Sequence, residues 1–275
     1  MAFLEILKVL FLGVVEGITE WLPISSTGHM LLVDEFVQLN MSEAFKEMFF
    51  VVIQLGAILA VVILFRKKLW PLQFRDKSKP VLKRDTLSTW AKVILACIPG
   101  AVVTLLFDDW IDAHLQTPVI IASMLILYGL AFVLVESWNK LRTPRATTLY
   151  DISYGTALLI GLFQVLSIIP GTSRSGATII GALLIGVSRV AATEFTFFMA
   201  VPVMFGYSAL KILRFGLHFS LFELLVLLIG MAVAFLVSLF VIRFLMSYIR
   251  KHDFKAFGIY RVLLGFAVLT YFFIW

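Results

Sequence analysis

A single cysteine, Cys97, in a chain of 275 residues excludes a disulfide framework and a thiolate metal site alike. Charge is scarce too: 15% of the residues are Asp, Glu, Lys or Arg while 61% are hydrophobic, and the mean hydropathy reaches +1.01. That balance excludes a soluble domain and requires a bilayer as solvent. The net charge of +6 therefore belongs to the loops, and no nucleic-acid partner is expected. The opening MAFLEILKVLFLGVVEG lacks a basic leader and an A-x-A cleavage site and carries Glu5 and Glu16. It reads as a retained segment rather than a signal peptide.

Six apolar runs reach the length of about 20 residues that a bilayer demands: 47–66, 90–107, 118–138, 194–213, 221–243 and 256–275. Two more are interrupted, 1–40 at LPISSTG and 153–190 at IPGTSRSG. Proline, glycine and hydroxyl residues at membrane depth free backbone groups, which is tolerated only where the break is buried in protein or lines a polar cavity. Both therefore read as broken or re-entrant helices whose tips meet inside the fold. Segment 66–92 carries nine Lys or Arg against Asp76 and Asp85, which places it in the cytoplasm. The turn with Asp108, Asp109 and Asp112 then lies outside, Lys140, Arg142, Arg145, Arg250, Lys251 and Lys255 inside, and both termini outside.

The two breaks also align. GVVEGITEWLPISSTG matches GLFQVLSIIPGTSRSG with a one-residue gap before the proline, which sets Pro23 on Pro170 and Ser26 on Ser173. Each half holds one broken segment and three spans, and an odd number of spans turns the second half upside down. The fold expected is an all-α integral membrane protein of six transmembrane helices plus two broken segments. It forms a single membrane domain, 1–275, of two inverted-topology repeats, about 1–140 and 150–275.

Small hydroxyl and glycine residues around one arginine make little sense as lipid-facing helix. In PGTSRSGAT, Arg174 is flanked by Ser173, Ser175, Gly176 and Thr178, a pattern suited to cradling phosphate at a helix N-terminus. The plainer alternatives are a structural ion pair or snorkelling to a headgroup. In the first break Glu16 and Glu20 are spaced i, i+4 and share a helical face; Pro23 follows, then Ser25, Ser26, Thr27, Gly28 and His29. Ser25 and Ser26 also suit an N-cap, His29 a satisfied buried histidine, and the glutamates an ion pair with Arg174. Two carboxylates would repel a bare phosphate anion, so a divalent cation, Mg2+ or Ca2+, is expected between Glu16, Glu20 and an anionic substrate. His29 could serve as base toward Ser26 or as acid toward a leaving group. Attack by Ser26, by a metal-bound water or by His29 all remain open.

The pair E-x-x-x-E-W-L-P-I-S-S-T-G-H and P-G-T-S-R-S-G-x-T resembles the signature of the bacterial undecaprenyl pyrophosphate phosphatases, also called bacitracin-resistance proteins, and the span pattern resembles theirs throughout. Glu16, Glu20, Ser26, His29, Ser173, Arg174 and Thr178 match residue by residue. The resemblance implies a multi-pass enzyme of the bacterial cytoplasmic (inner) membrane. It would hydrolyse undecaprenyl pyrophosphate to undecaprenyl phosphate on the outer face, recycling the carrier for peptidoglycan and giving bacitracin resistance. On this reading Ser26, His29, Glu20 and Arg174 are catalytic; Ser25, Thr27, Ser173, Arg174, Ser175, Gly176 and Thr178 bind phosphate; Glu16 and Glu20 hold the cation. The partners are a polyprenyl pyrophosphate and the bilayer, with oligomeric state open, a homodimer included. A lipid-carrier transporter is the rival, because inverted repeats with midplane charges are its usual architecture.

Overall fold

The computed structural model describes residues 2–73 and 80–274, apart from the side chains of Asp108, Asp109 and Asp112. Arg75, Asp76, Lys77 and Lys79 of the basic segment lie outside the described residues. Among the described residues eleven α-helices follow one another: α1 Ala2–Thr19, α2 Ser26–Phe36, α3 Glu43–Leu64, the single turn α4 Arg66–Leu69, α5 Arg84–Leu115, α6 Pro118–Asn139, α7 Tyr154–Val165, α8 Arg174–Ile185, α9 Arg189–Phe215, α10 Leu221–Tyr248 and α11 Lys255–Ile274. Among the described residues there is no sheet, only two isolated bridges. The protein is all-α, and α3, α5, α6, α9, α10 and α11 are long and apolar enough to cross a membrane. One expectation needs correction: the acidic stretch 108–112 is no turn, because α5 runs on to Leu115 before Thr117 caps α6 with Pro118 at its first position.

Hydroxyl caps set the helix starts. Ser42, Thr117, Ser188 and Ser220 each accept an amide hydrogen of the first turn of α3, α6, α9 and α10. Helix α1 leans on α10 and α7 on α5, while α3 meets α9 and α6 meets α11. Lipid offers no hydrophobic drive between helices, so small residues bring backbones together. At the α6–α11 crossing, Gly129 and Gly258 face each other so closely that a Cβ on either would lie 2.6 Å from the other's carbonyl oxygen. This crossing carries Arg261 and Tyr260 on α11 toward the two breaks.

Candidate active site

Each broken segment restarts on a serine with positive φ, 73° at Ser25 and 71° at Ser173; no other non-glycine among the described residues has one. Such a backbone costs of order 1–3 kcal/mol and persists only where its surroundings impose it. Each hydroxyl accepts the amide hydrogen three residues on, Gly28 at 3.3 Å and Gly176 at 3.2 Å. Both are N-caps, of α2 and α8. The alignment of the two breaks is corrected accordingly. Ser25 stands where Ser173 does, so Ser26 answers to Arg174 and Gly28 to Gly176 with no gap, and the pairing of Ser26 with Ser173 is one residue off. The cap fixes where a helix begins; the prolines sit one position apart without consequence.

The first residues of the two new helices meet on one carboxylate. Ser26 donates its hydroxyl hydrogen to Glu20 Oε2 at 2.9 Å, and Arg174 Nη2 donates to Glu20 Oε1, also at 2.9 Å. The Arg174 and Glu20 side chains are 14% and 9% exposed, so the pair is sheltered but reachable. Arg174 Nη1 donates to the Thr196 carbonyl at 3.3 Å. One turn before Glu20, Glu16 is 1% exposed and its Oε1 has no hydrogen-bond partner. A serine hydroxyl on a carboxylate that an arginine orients is an arrangement able to serve as nucleophile, base and orienting group within hydrogen-bond reach. The first two amides of α2 and of α8 lack intrahelical acceptors, as at any helix start.

The remaining predicted residues divide between contact and support. His29 is not on Ser26: its Nδ1 lies 2.7 Å from the Ser25 carbonyl and its Nε2 2.7 Å from the Tyr260 hydroxyl. Because a carbonyl only accepts, the neutral ring carries its proton on Nδ1 and takes the Tyr260 hydrogen at Nε2. The structure thus puts Glu20, not His29, where a base for Ser26 belongs. Ser25 is buried in its capping role; Thr27 is exposed and makes no side-chain hydrogen bond among the described residues. Ser173 and Ser175 hydroxyls are 3.2 Å apart at the mouth of α8. The Gly176 amide, expected to meet phosphate, is taken by Ser173. Thr178 donates back to the Arg174 and Ser175 carbonyls and accepts from Thr196, so it braces the turn bearing Arg174 rather than facing a ligand.

Sequence reasoning missed Arg261, Tyr260 and Gln164. Arg261 did leave a signal, a lone charge in the apolar run IYRVLLGFAVL, and ionisable residues at membrane depth are functional candidates by default. Gln164 becomes visible once the breaks are aligned without a gap: it stands opposite Glu16, is 4% exposed, and likewise has an unpartnered Oε1.

A family model described as bacitracin resistance protein BacA matches residues 9–267. The chain is 71% identical to an undecaprenyl-diphosphatase of Enterococcus faecalis over 267 residues, 97% of either chain. It is 59% identical to one from Desulfitobacterium hafniense over 273 residues, 99% of this chain and 98% of that one. Identity to undecaprenyl-diphosphatase 1 of Clostridium acetobutylicum is 57% over 275 residues, the whole of both. The matched region contains both breaks and every residue on the Glu20 carboxylate, and the chain belongs to the BacA bacitracin resistance family.

Proposed function

We infer that this multi-pass membrane protein is an undecaprenyl-diphosphatase, hydrolysing undecaprenyl pyrophosphate to undecaprenyl phosphate and inorganic phosphate. It thereby recycles the carrier for peptidoglycan synthesis and depletes the pyrophosphate that bacitracin binds. The observation that carries the reading is the shared carboxylate: Ser26 and Arg174, one from each break, both donate to Glu20. A transporter has no use for a hydroxyl set on a base, and the relatives are named for hydrolysis.

Phosphoryl transfer passes through a loose, in-line transition state in which positioning and charge neutralisation supply most of the catalysis. Ser26 Oγ attacks the terminal phosphorus as its proton passes to Glu20 Oε2, and the bridging P–O bond breaks with its electron pair on the lipid phosphate. Glu20 hands that proton to the departing lipid phosphate. Ionised again, it takes a proton from the water that attacks the phosphoserine and returns it to Ser26 Oγ as inorganic phosphate leaves. Arg174 orients Glu20 at rest and grips phosphate oxygens when substrate arrives. The first-turn amides of α2 and α8 and the Ser173 and Ser175 hydroxyls add neutral donors. His29 braces the strained Ser25 cap.

The residues suit a divalent cation. Glu16 presents a buried, unpartnered carboxylate oxygen one turn from Glu20, and among the described residues no third acid, histidine or cysteine joins them. Two carboxylates with the remaining places left to water and phosphate is the ligand set of Mg2+, with Ca2+ the alternative. Such an ion would neutralise phosphate charge and polarise the terminal phosphoryl group.

Two features support the topology. Lys68, Lys140, Arg145, Arg189, Arg250 and Lys251 line two adjoining cavities that share Ser188, Val190 and Arg250, so the basic segments gather at one end, as the positive-inside rule asks of a cytoplasmic face. The termini then face outward across the bacterial cytoplasmic membrane. The helix pairings are reciprocal, α1 on α10 and α7 on α5, with α3 on α9 and α6 on α11 across the middle. This reciprocity supports two repeats, about 1–140 and 150–275, exchanged by a pseudo-twofold axis. The test is phosphate release from a polyprenyl pyrophosphate by purified protein in detergent: turnover lost in Ser26→Ala and Glu20→Gln supports the reading, and a wild-type protein that releases no phosphate refutes it.

A further inference from the structure

We propose that Arg261 is a positioning residue that ties the two breaks together from α11 and so sets the distance between Ser26 and Arg174 across Glu20; this rests on the active-site reading above. Arg261 is fully buried, and among the described residues no carboxylate lies within ion-pair distance of it. Its two Nη groups donate to main-chain carbonyls instead, while Nε has no hydrogen-bond partner among the described residues. Nη1 donates to Pro23 at 3.2 Å, while Nη2 is shared by Gly171 and Thr172, each at 2.9 Å, and by Met124 of α6 at 3.5 Å. Pro23 precedes the Ser25 cap by two residues; Gly171 and Thr172 directly precede the Ser173 cap. One guanidinium thus holds the carbonyls just upstream of both strained serines, where the chain has left one helix and not entered the next.

Those carbonyls need a donor, because at membrane depth no water replaces one and an unsatisfied backbone group is costly. The second break is also pressed onto α6: Gly171, at φ +89°, sits so close that a Cβ would run into the Ile121 carbonyl. An arginine in an apolar span can pair with an acid, snorkel to the surface or pair with backbone carbonyls, and Arg261 takes the third course at two loops that flank the site. Its planar fork is the feature that lets two separate loops be held at once. The cation also lies beside the catalytic turn. A Cβ on Gly176, in the first turn of α8, would come within 3.2 Å of Nη1, so the charge adds to the helix-start field that favours phosphate.

Arg261→Lys keeps the charge but replaces the fork with a point donor that cannot span both loops. The experiment compares full-length wild type, Arg261→Lys and Arg261→Met in detergent, with farnesyl pyrophosphate as substrate, alongside hydrogen exchange of the peptides covering 22–28 and 170–176. For Arg261→Lys we expect normal accumulation and kcat lower by about 100-fold, the scale of a small misplacement at a reacting centre. KM should stay within a few fold, and both peptides should exchange faster while α3 and α10 do not change. Arg261→Met should lose the same positioning and raise KM as well, since the charge is gone. Wild-type kcat in Arg261→Lys, faster exchange in one break only, or failure of both variants to accumulate would each overturn the proposal, the last by assigning Arg261 to the fold. Ser26→Ala measured in parallel separates the two readings: a dead Ser26→Ala beside an unimpaired Arg261→Lys sinks only this inference, while an active Ser26→Ala sinks the serine mechanism and leaves the exchange result to decide on Arg261.

Discussion

Ser26→Ala and Glu20→Gln are expected to damage the same step, so their losses should not multiply. The Ser26 hydroxyl has Glu20 Oε2 at 2.9 Å as its acceptor. Loss of a general base typically costs about 10²–10⁴-fold. At about 10³ for each single variant, near 4 kcal/mol, independent effects would put the double variant about 10⁶ below wild type, whereas one catalytic unit leaves it about 10³ below, little worse than either single. Stability should separate the two. Glu20→Gln also removes the charge opposite Arg174 in a pair whose side chains are 9% and 14% exposed. Uncompensated buried charges cost about 3–5 kcal/mol, of which the amide oxygen restores part, so Glu20→Gln should melt well below Ser26→Ala. The assay is phosphate release at saturating substrate, with acid quenching of terminally labelled substrate to trap label on Ser26. Multiplicative losses would refute the unit, and turnover by Ser26→Ala within tenfold of wild type would leave direct attack by water. His29→Ala should lose less than Glu20→Gln; an equal loss would return the base to His29.

Arg174→Lys should keep the protein folded but lower kcat/KM by at least about two orders of magnitude, because one ammonium cannot orient Glu20 and grip phosphate bidentately; near wild-type rates in both Arg174→Lys and Arg174→Ala would remove it from the site. In a Cys97→Ala background, an impermeant thiol reagent on whole cells should label Glu35→Cys and spare Arg142→Cys; the opposite pattern inverts the topology. Chelation should abolish turnover and added Mg2+ or Ca2+ restore it, with Glu16→Gln needing far more cation; full activity in excess chelator would exclude a metal requirement.

The spans were legible because lipid imposes a strong and simple rule, a continuous apolar run of sufficient length, and among the described residues each of the six expected runs lies within one of α3, α5, α6, α9, α10 and α11 or passes its end by no more than two residues. The breaks were legible for the complementary reason, since LPISSTG and IPGTSRSG make no sense facing lipid. Side-chain partnering was not. Spacing alone put His29 one turn from Ser26, but a ring nitrogen is directed by whichever partner lies nearest, here the carbonyl of Ser25, the cap of its own helix, and the Tyr260 hydroxyl from the far end of the chain. The repeat register failed by one residue because proline is the conspicuous letter, whereas helix starts obey the capping serine. The end of α5 was misplaced because three aspartates read as a turn, while the backbone stays helical through them to Leu115.

Capped alike, the two breaks differ in charge, and the difference accounts for the site. Matched from their capping serines, the halves set Glu16 against Gln164, Glu20 against Ile168 and Ser26 against Arg174. Had both kept the acids, four carboxyl groups would converge in a medium that stabilises none of them; had both kept arginine, the cations would repel. Acids on one side and a cation on the other let a single carboxylate be shared across the middle, and Arg261 brings the count to two carboxyl groups and two guanidinium groups. A pyrophosphate overturns that balance by adding several negative charges at once. This is the physical reason to expect a divalent cation to arrive with the substrate, at the unpartnered oxygen of Glu16, rather than to reside in the resting site.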